Sequence, residues 1–133
     1  MTGVQTCALP ICSARQAEVQ TAKDWGAHII TSRQIHKDGI SQIVDLIEPD
    51  SACLISLDLD ALEMPAVAAP SPGGLTYMQV TDLIAGVAAK AKIAGFAMVE
   101  FVPKRDLTGT SAYTAARIAA IVLGHIARQN ATP

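Results

Sequence analysis

Short apolar runs at 27–31, 53–58 and 93–101 alternate with stretches whose apolar residues recur at helical spacing, and this alternation narrows the fold more than anything else in the chain. Val80, Leu83, Ile84, Val87, Ala88 and Ala91 occupy successive positions of an i, i+3, i+4, i+7 template, the signature of a helix with one buried face. Thr76 stands where such a helix takes its N-cap. Ile118, Ile121, Val122 and Ile126 draw a similar stripe along a last helix from about Ser111 to Arg128. Good helix formers from 13 to 25 stop at Gly26, and another helix opens at Asp38 or Gly39, carries Ile40, Ile43, Val44 and Ile47, and ends at Pro49. The strands read as near-continuous apolar runs, as when both faces of a parallel sheet are covered. Strand, helix, strand, helix, strand, helix predicts an α/β fold with a parallel sheet.

The length of 133 residues, half of them hydrophobic, suits one domain with a core. A formal charge of −2, few aromatics and no block of Lys or Arg leave no footprint for nucleic acid or an anionic membrane; a small anionic or zwitterionic partner remains open. No apolar run reaches the roughly 18–20 residues of a membrane span, and no signal-peptide pattern is present, so a cytoplasmic location is expected. Cys7, Cys12 and Cys53 are too few and too irregular for a disulfide framework. Residues 2–11 resemble the translation of a short-read sequencing adapter; on that reading 1–12 are an artefact without fold, the domain occupies 13–133, and the true gene begins upstream.

In a parallel α/β sheet, ligands sit beyond the carboxyl ends of the strands. There the run Ser56-Leu57-Asp58-Leu59-Asp60 ends in two carboxylates spaced i, i+2, which a strand projects to one face. Close carboxylates repel, and divalent metals are their natural partners. A second strand ends in Glu100. The loops that follow, 61–75 and 102–110, are long and rich in Pro, Gly, Ser and Thr, the kind of segment that carries function on a rigid scaffold. His28 reads as a strand histidine, His36 as a loop histidine, and His125 as a packed histidine on the apolar stripe. Lys104, Arg105 and Asp106 read as a solvated loop, and Tyr77 and Tyr113 as packing residues.

The segments S-L-D-L-D-A-L-E (56–63), M-P-A-V-A-A-P-S-P-G-G-L-T-Y (64–77), I-A-G-F-A-M-V-E-F-V-P (93–103) and T-A-A-R-I (114–118) together resemble the C-terminal part of the ureohydrolases, the arginase and agmatinase family, most of all its bacterial agmatinase-like and guanidinobutyrase branch. The resemblance implies a three-layer α/β/α fold around a parallel sheet, and an oligomeric enzyme. It implies two manganese ions that activate water for attack on a guanidino carbon, with urea released. Asp58 matches the carboxylate that bridges the metals, Asp60 the carboxylate on one of them, and Glu100 the acid that receives the guanidinium. The chain departs from the family where Glu63 stands in place of an Asp-Pro and where Ala97 replaces an aspartate. The family's remaining ligands belong to a G-G-D-H and a D-A-H-x-D motif, and this sequence contains neither. The expectation is thus half of an active site, inactive alone. Three classes stay open: a ureohydrolase acting on agmatine or a guanidino acid, a non-catalytic α/β interaction domain, and another metal-dependent hydrolase such as a phosphoesterase, which lacks here the histidines and the phosphate-cradling glycine loop.

Overall fold

The computed structural model describes residues 7–8 and 15–131, in which β1 (Cys7–Ala8), α1 (Gln16–Asp24), β2 (His28–Ile29), α2 (Ser32–Asp38), α3 (Ser41–Val44), β3 (Ala52–Asp58), α4 (Tyr77–Lys90), β4 (Lys92–Val99) and α5 (Thr110–Ala131) follow in order. Short 3-10 turns at Leu59–Ala61 and Pro103–Arg105 follow β3 and β4. The structural centre is the parallel pair of β3 and β4, in register from Ala52 opposite Lys92 to Asp58 opposite Val99. A register shift after Cys53 leaves an extra residue on β4, so that Cys53 faces Ile93 but Leu54 faces Gly95. This bulge explains an irregular burial pattern: Ile93 and Phe96, three apart, both turn toward the core.

Helix α4 forms where its apolar spacing predicts, and its start is fixed by a reciprocal cap. Thr76 Oγ1 accepts from the Gln79 amide at 3.2 Å, while Gln79 Oε1 accepts from the Thr76 amide at 3.0 Å. Helix α5 is capped from further away, because Asp106 accepts from the amides of Ser111 (3.3 Å) and Ala112 (2.7 Å), a carboxylate at the positive end of a helix. Val80, Leu83 and Ile84 of α4 meet Ala115, Ile118 and Val122 of α5 in the core, with Ile55, Leu57, Phe96 and Met98 of the sheet packed against them. Gln129 closes the far end: its Oε1 accepts from Ile93 N at 3.0 Å, and its Nε2 donates to Ala88 O and Ala91 O at 2.9 and 2.8 Å.

Several elements differ from the sequence-based expectation. The strand expected at 27–31 is only His28–Ile29, and it pairs in parallel with Cys7–Ala8 rather than joining β3 and β4. Those two residues fall in the segment expected to carry no fold; the remainder of 1–12 lies outside the described residues. Gly39 does not open a helix but ends one. At φ 78° it terminates α2, which begins with a reciprocal cap between Thr31 and Gln34, a Thr-x-x-Gln signature present in the sequence. His36 therefore lies on a helix, not in a loop. Along β3 exposed and half-buried residues alternate, because the helices cover one face of the pair and leave Ala52, Leu54, Ser56 and Asp58 on an open one. Among the described residues no helix is long and apolar enough to cross a membrane.

Candidate metal and substrate site

Strand β3 ends at Asp58, and Asp60 already belongs to the 3-10 turn that follows. The i, i+2 rule for strands therefore does not govern this pair. Asp58 Oδ1 instead accepts from the Asp60 amide at 2.8 Å and caps the turn, while both oxygens of Asp60 accept from the Ala69 amide at 3.1 and 3.0 Å. Since Asp58 pairs with Val99, Glu100 is the next residue along the neighbouring strand's path, at the same end of the sheet. Adjacent strands run about 4.8 Å apart, so the register brings the backbones of Asp58 and Glu100 together.

Glu100 adopts φ 68°, a left-handed backbone that costs a side-chain-bearing residue about 1–2 kcal/mol. Its carbonyl accepts from Ala68 N at 3.2 Å. Neither a hydrogen bond nor an ion pair within the described residues engages its carboxylate, which is exposed. Among the described residues no three of His, Cys, Asp and Glu gather in a metal-ligating cluster, so this chain offers the two aspartates as a pair. A cavity of about 300 Å³ lies beside the long loop, lined by Glu63, Met64, Thr76, Tyr77, Ser111 and neighbours. None of Asp58, Asp60 or Glu100 lines it.

The loop 61–75 is held at several points. Leu62 bridges Leu75, and Glu63 Oε1 accepts from Gly73 N at 3.1 Å. Gly74 passes so close that a Cβ there would lie 2.6 Å from the Leu62 carbonyl carbon, which only glycine permits. His36 secures the same turn from outside: its Nε2 donates to Gly74 O at 2.9 Å and its Nδ1 accepts from Gln79 Nε2 at 3.2 Å, a network that sets the tautomer. Arg105 donates to Val67 O and, at 2.9 Å, to Ala68 O. Lys104 and Arg105 are exposed, as the sequence reading has them, yet Arg105 clamps the loop, while Asp106 is half-buried and caps a helix. His125 is half-buried on α5 and His28 exposed on β2. Tyr77 is half-buried against the core, whereas Tyr113 is 62% exposed and its hydroxyl accepts from Arg117 at 3.1 Å. Hydrogen bonds to the Tyr77 and Tyr113 hydroxyls push the Arg117 pKa up.

Comparison with known proteins places this geometry. A family profile described as Arginase family matches residues 2–124. Among curated relatives, N(1)-aminopropylagmatine ureohydrolase of Thermus thermophilus is 35% identical over 88 residues, 64% of this chain and 30% of that protein. Formimidoylglutamase of Salmonella paratyphi B is 37% identical over 84 residues, 61% of this chain and 27% of its own length. Of solved structures, proclavaminate amidino hydrolase from Streptomyces clavuligerus superposes with a TM-score of 0.75 at 28% identity over 83% of this chain and 38% of that one. Agmatine ureohydrolase of Thermoplasma volcanium gives a TM-score of 0.71 at 27% identity, over 86% and 39% respectively. The chain thus spans 27–30% of the length of the curated relatives it matches. The parallel β3–β4 pair with its helices is an arginase-like α/β fold, and the chain belongs to the arginase family.

Proposed function

We propose that this chain supplies part of the active site of a manganese-dependent ureohydrolase, which hydrolyses a guanidino compound such as agmatine or a guanidino acid and releases urea. The observation that carries the reading is the register of β3 and β4, which sets Asp58, the Asp60 turn and Glu100 at one end of one parallel pair. Family membership and the names of the relatives support it.

The donor chemistry fits the metal. Carboxylate oxygens are ligands of the kind manganese takes, and each carboxylate has about four lone-pair sites, of which the amides of Asp60 and Ala69 occupy only part. Asp58 and Asp60 would hold the ions, with the remaining ligands supplied from upstream in the complete protein. When bound, such a metal pair supplies an acidified water as nucleophile near neutral pH. The chain's own part is to position. Asp58 and Asp60 are oriented by backbone amides, and Glu100 offers a carboxylate to a planar guanidinium, its natural two-point partner. A cytoplasmic setting and a homo-oligomer complete the proposal, and the chain by itself is read as inactive.

The complete reading frame, expressed with manganese and offered a panel of guanidino compounds, should release urea from one of them. Asp60→Ala in that protein should lose metal and activity together. Glu100→Ala should keep the metal and lose turnover. Undiminished urea release by Asp60→Ala would sink the assignment.

A further inference from the structure

Residues 66–69 form a strap between the two halves of the site. Ala66 O accepts from Val102 N at 2.9 Å, Val67 bridges Phe101, and Ala68 N donates to Glu100 O at 3.2 Å. One residue on, Ala69 N donates to both carboxylate oxygens of Asp60. The first part of the strap is anchored by packing, since Ala66 and Val67 are both 0% exposed. Ala68 and Ala69 are exposed and have no such anchor. Successive carbonyls of an extended chain point to opposite sides, yet those of Val67 and Ala68 converge on one nitrogen, Arg105 Nη1. Two converging carbonyl oxygens repel, and a donor shared between them offsets this, a charged one most strongly. The same two peptide groups present Ala68 N to Glu100 O and Ala69 N to the Asp60 carboxylate.

We infer that Arg105 is the positioning residue of this site: by holding the carbonyls of Val67 and Ala68 it sets the orientation of the Asp60 carboxylate and the backbone of Glu100, without touching either. The arginine sits on the turn directly after Val102, which is itself bonded to the strap, so donor and acceptors share one frame. Only the link to metal binding rests on the function proposed above.

Amide hydrogen exchange on the full chain tests the clamp without metal. In Arg105→Met, which keeps an apolar stem and loses the donors, the amides of Ala68 and Ala69 should exchange about 10- to 100-fold faster, while those of Ile118 and Val122 in α5 keep their protection. Arg105→Lys should fall between, and Lys104→Met should match the unmodified chain. Unchanged exchange at 68–69 in Arg105→Met would overturn the inference. So would equal loss of protection across α5 in both Arg105 variants, which would mark a general structural role. In the complete protein, Arg105→Met should weaken manganese binding about 10-fold, as loss of a ligand-orienting partner does. Unaltered affinity would break the link between strap and metal, whereas a complete unmodified protein that binds no manganese would refute the proposed function and leave the clamp standing.

Discussion

At Glu100 stability and function pull in opposite directions. Its φ of 68° suits glycine, and with no hydrogen bond to its side chain among the described residues the fold gains nothing evident from a glutamate there. Glu100→Gly should therefore stabilise the chain by roughly 1 kcal/mol, a rise that urea unfolding would register, although the substitution removes the proposed guanidinium partner. A mutant less stable than the parent would show that the glutamate side chain contributes to the fold. Gly74 is the converse case, since a methyl group there meets the Leu62 carbonyl carbon, Ala61 O and Glu63 N at 2.6 to 2.8 Å. Gly74→Ala should cost about 1–3 kcal/mol and displace the turn that His36 holds.

Individual elements were legible in the sequence to the extent that one local signal decides them. Strands β3 and β4 and helices α4 and α5 follow from apolar period and length, and the Thr76 cap from a single residue type. Helix α2 buries only Ser32 and Ile35 and so draws no stripe in the sequence; its one local signal is the Thr31–Gln34 pair. By sequence Asp60 reads as part of the strand's face, because nothing local marks where the strand gives way to a 3-10 turn. The bonds of Arg105 to 67–68, of Asp106 to α5 and of Gln129 to α4 and β4 join positions that only the tertiary fold brings together. Element packing also sets the scale of mutational damage. Ile118 is 0% exposed at the meeting of α4 and α5, and Ile118→Ala should cost about 2–5 kcal/mol in chemical denaturation. Thr76→Ala should cost about 1 kcal/mol.

For the molecule as a whole, the open face of the β3–β4 pair is expected to govern behaviour in solution. Leu54 is 73% and Val99 44% exposed there, and within the described residues each strand has one partner only. Apolar surface beside unpaired strand edges promotes association, so sedimentation of the isolated chain should show concentration-dependent oligomers, reduced by Leu54→Lys. Unaltered monomer across the concentration range would contradict this. Manganese titrated into the same chain should show no tight binding by calorimetry, since the described residues provide two aspartates and no cluster of three ligands.

The pairing of Ala52 with Lys92 also has a consequence in time. On a ribosome, β3 emerges about forty residues before its partner and waits for it, and closing a loop of that length carries an entropic barrier of roughly 3 kcal/mol beyond a constant. Helix α4, which lies between the two strands, is local and quick by comparison, so the sheet is expected to form after it. During that interval the edge of β3 is unpaired and open to association.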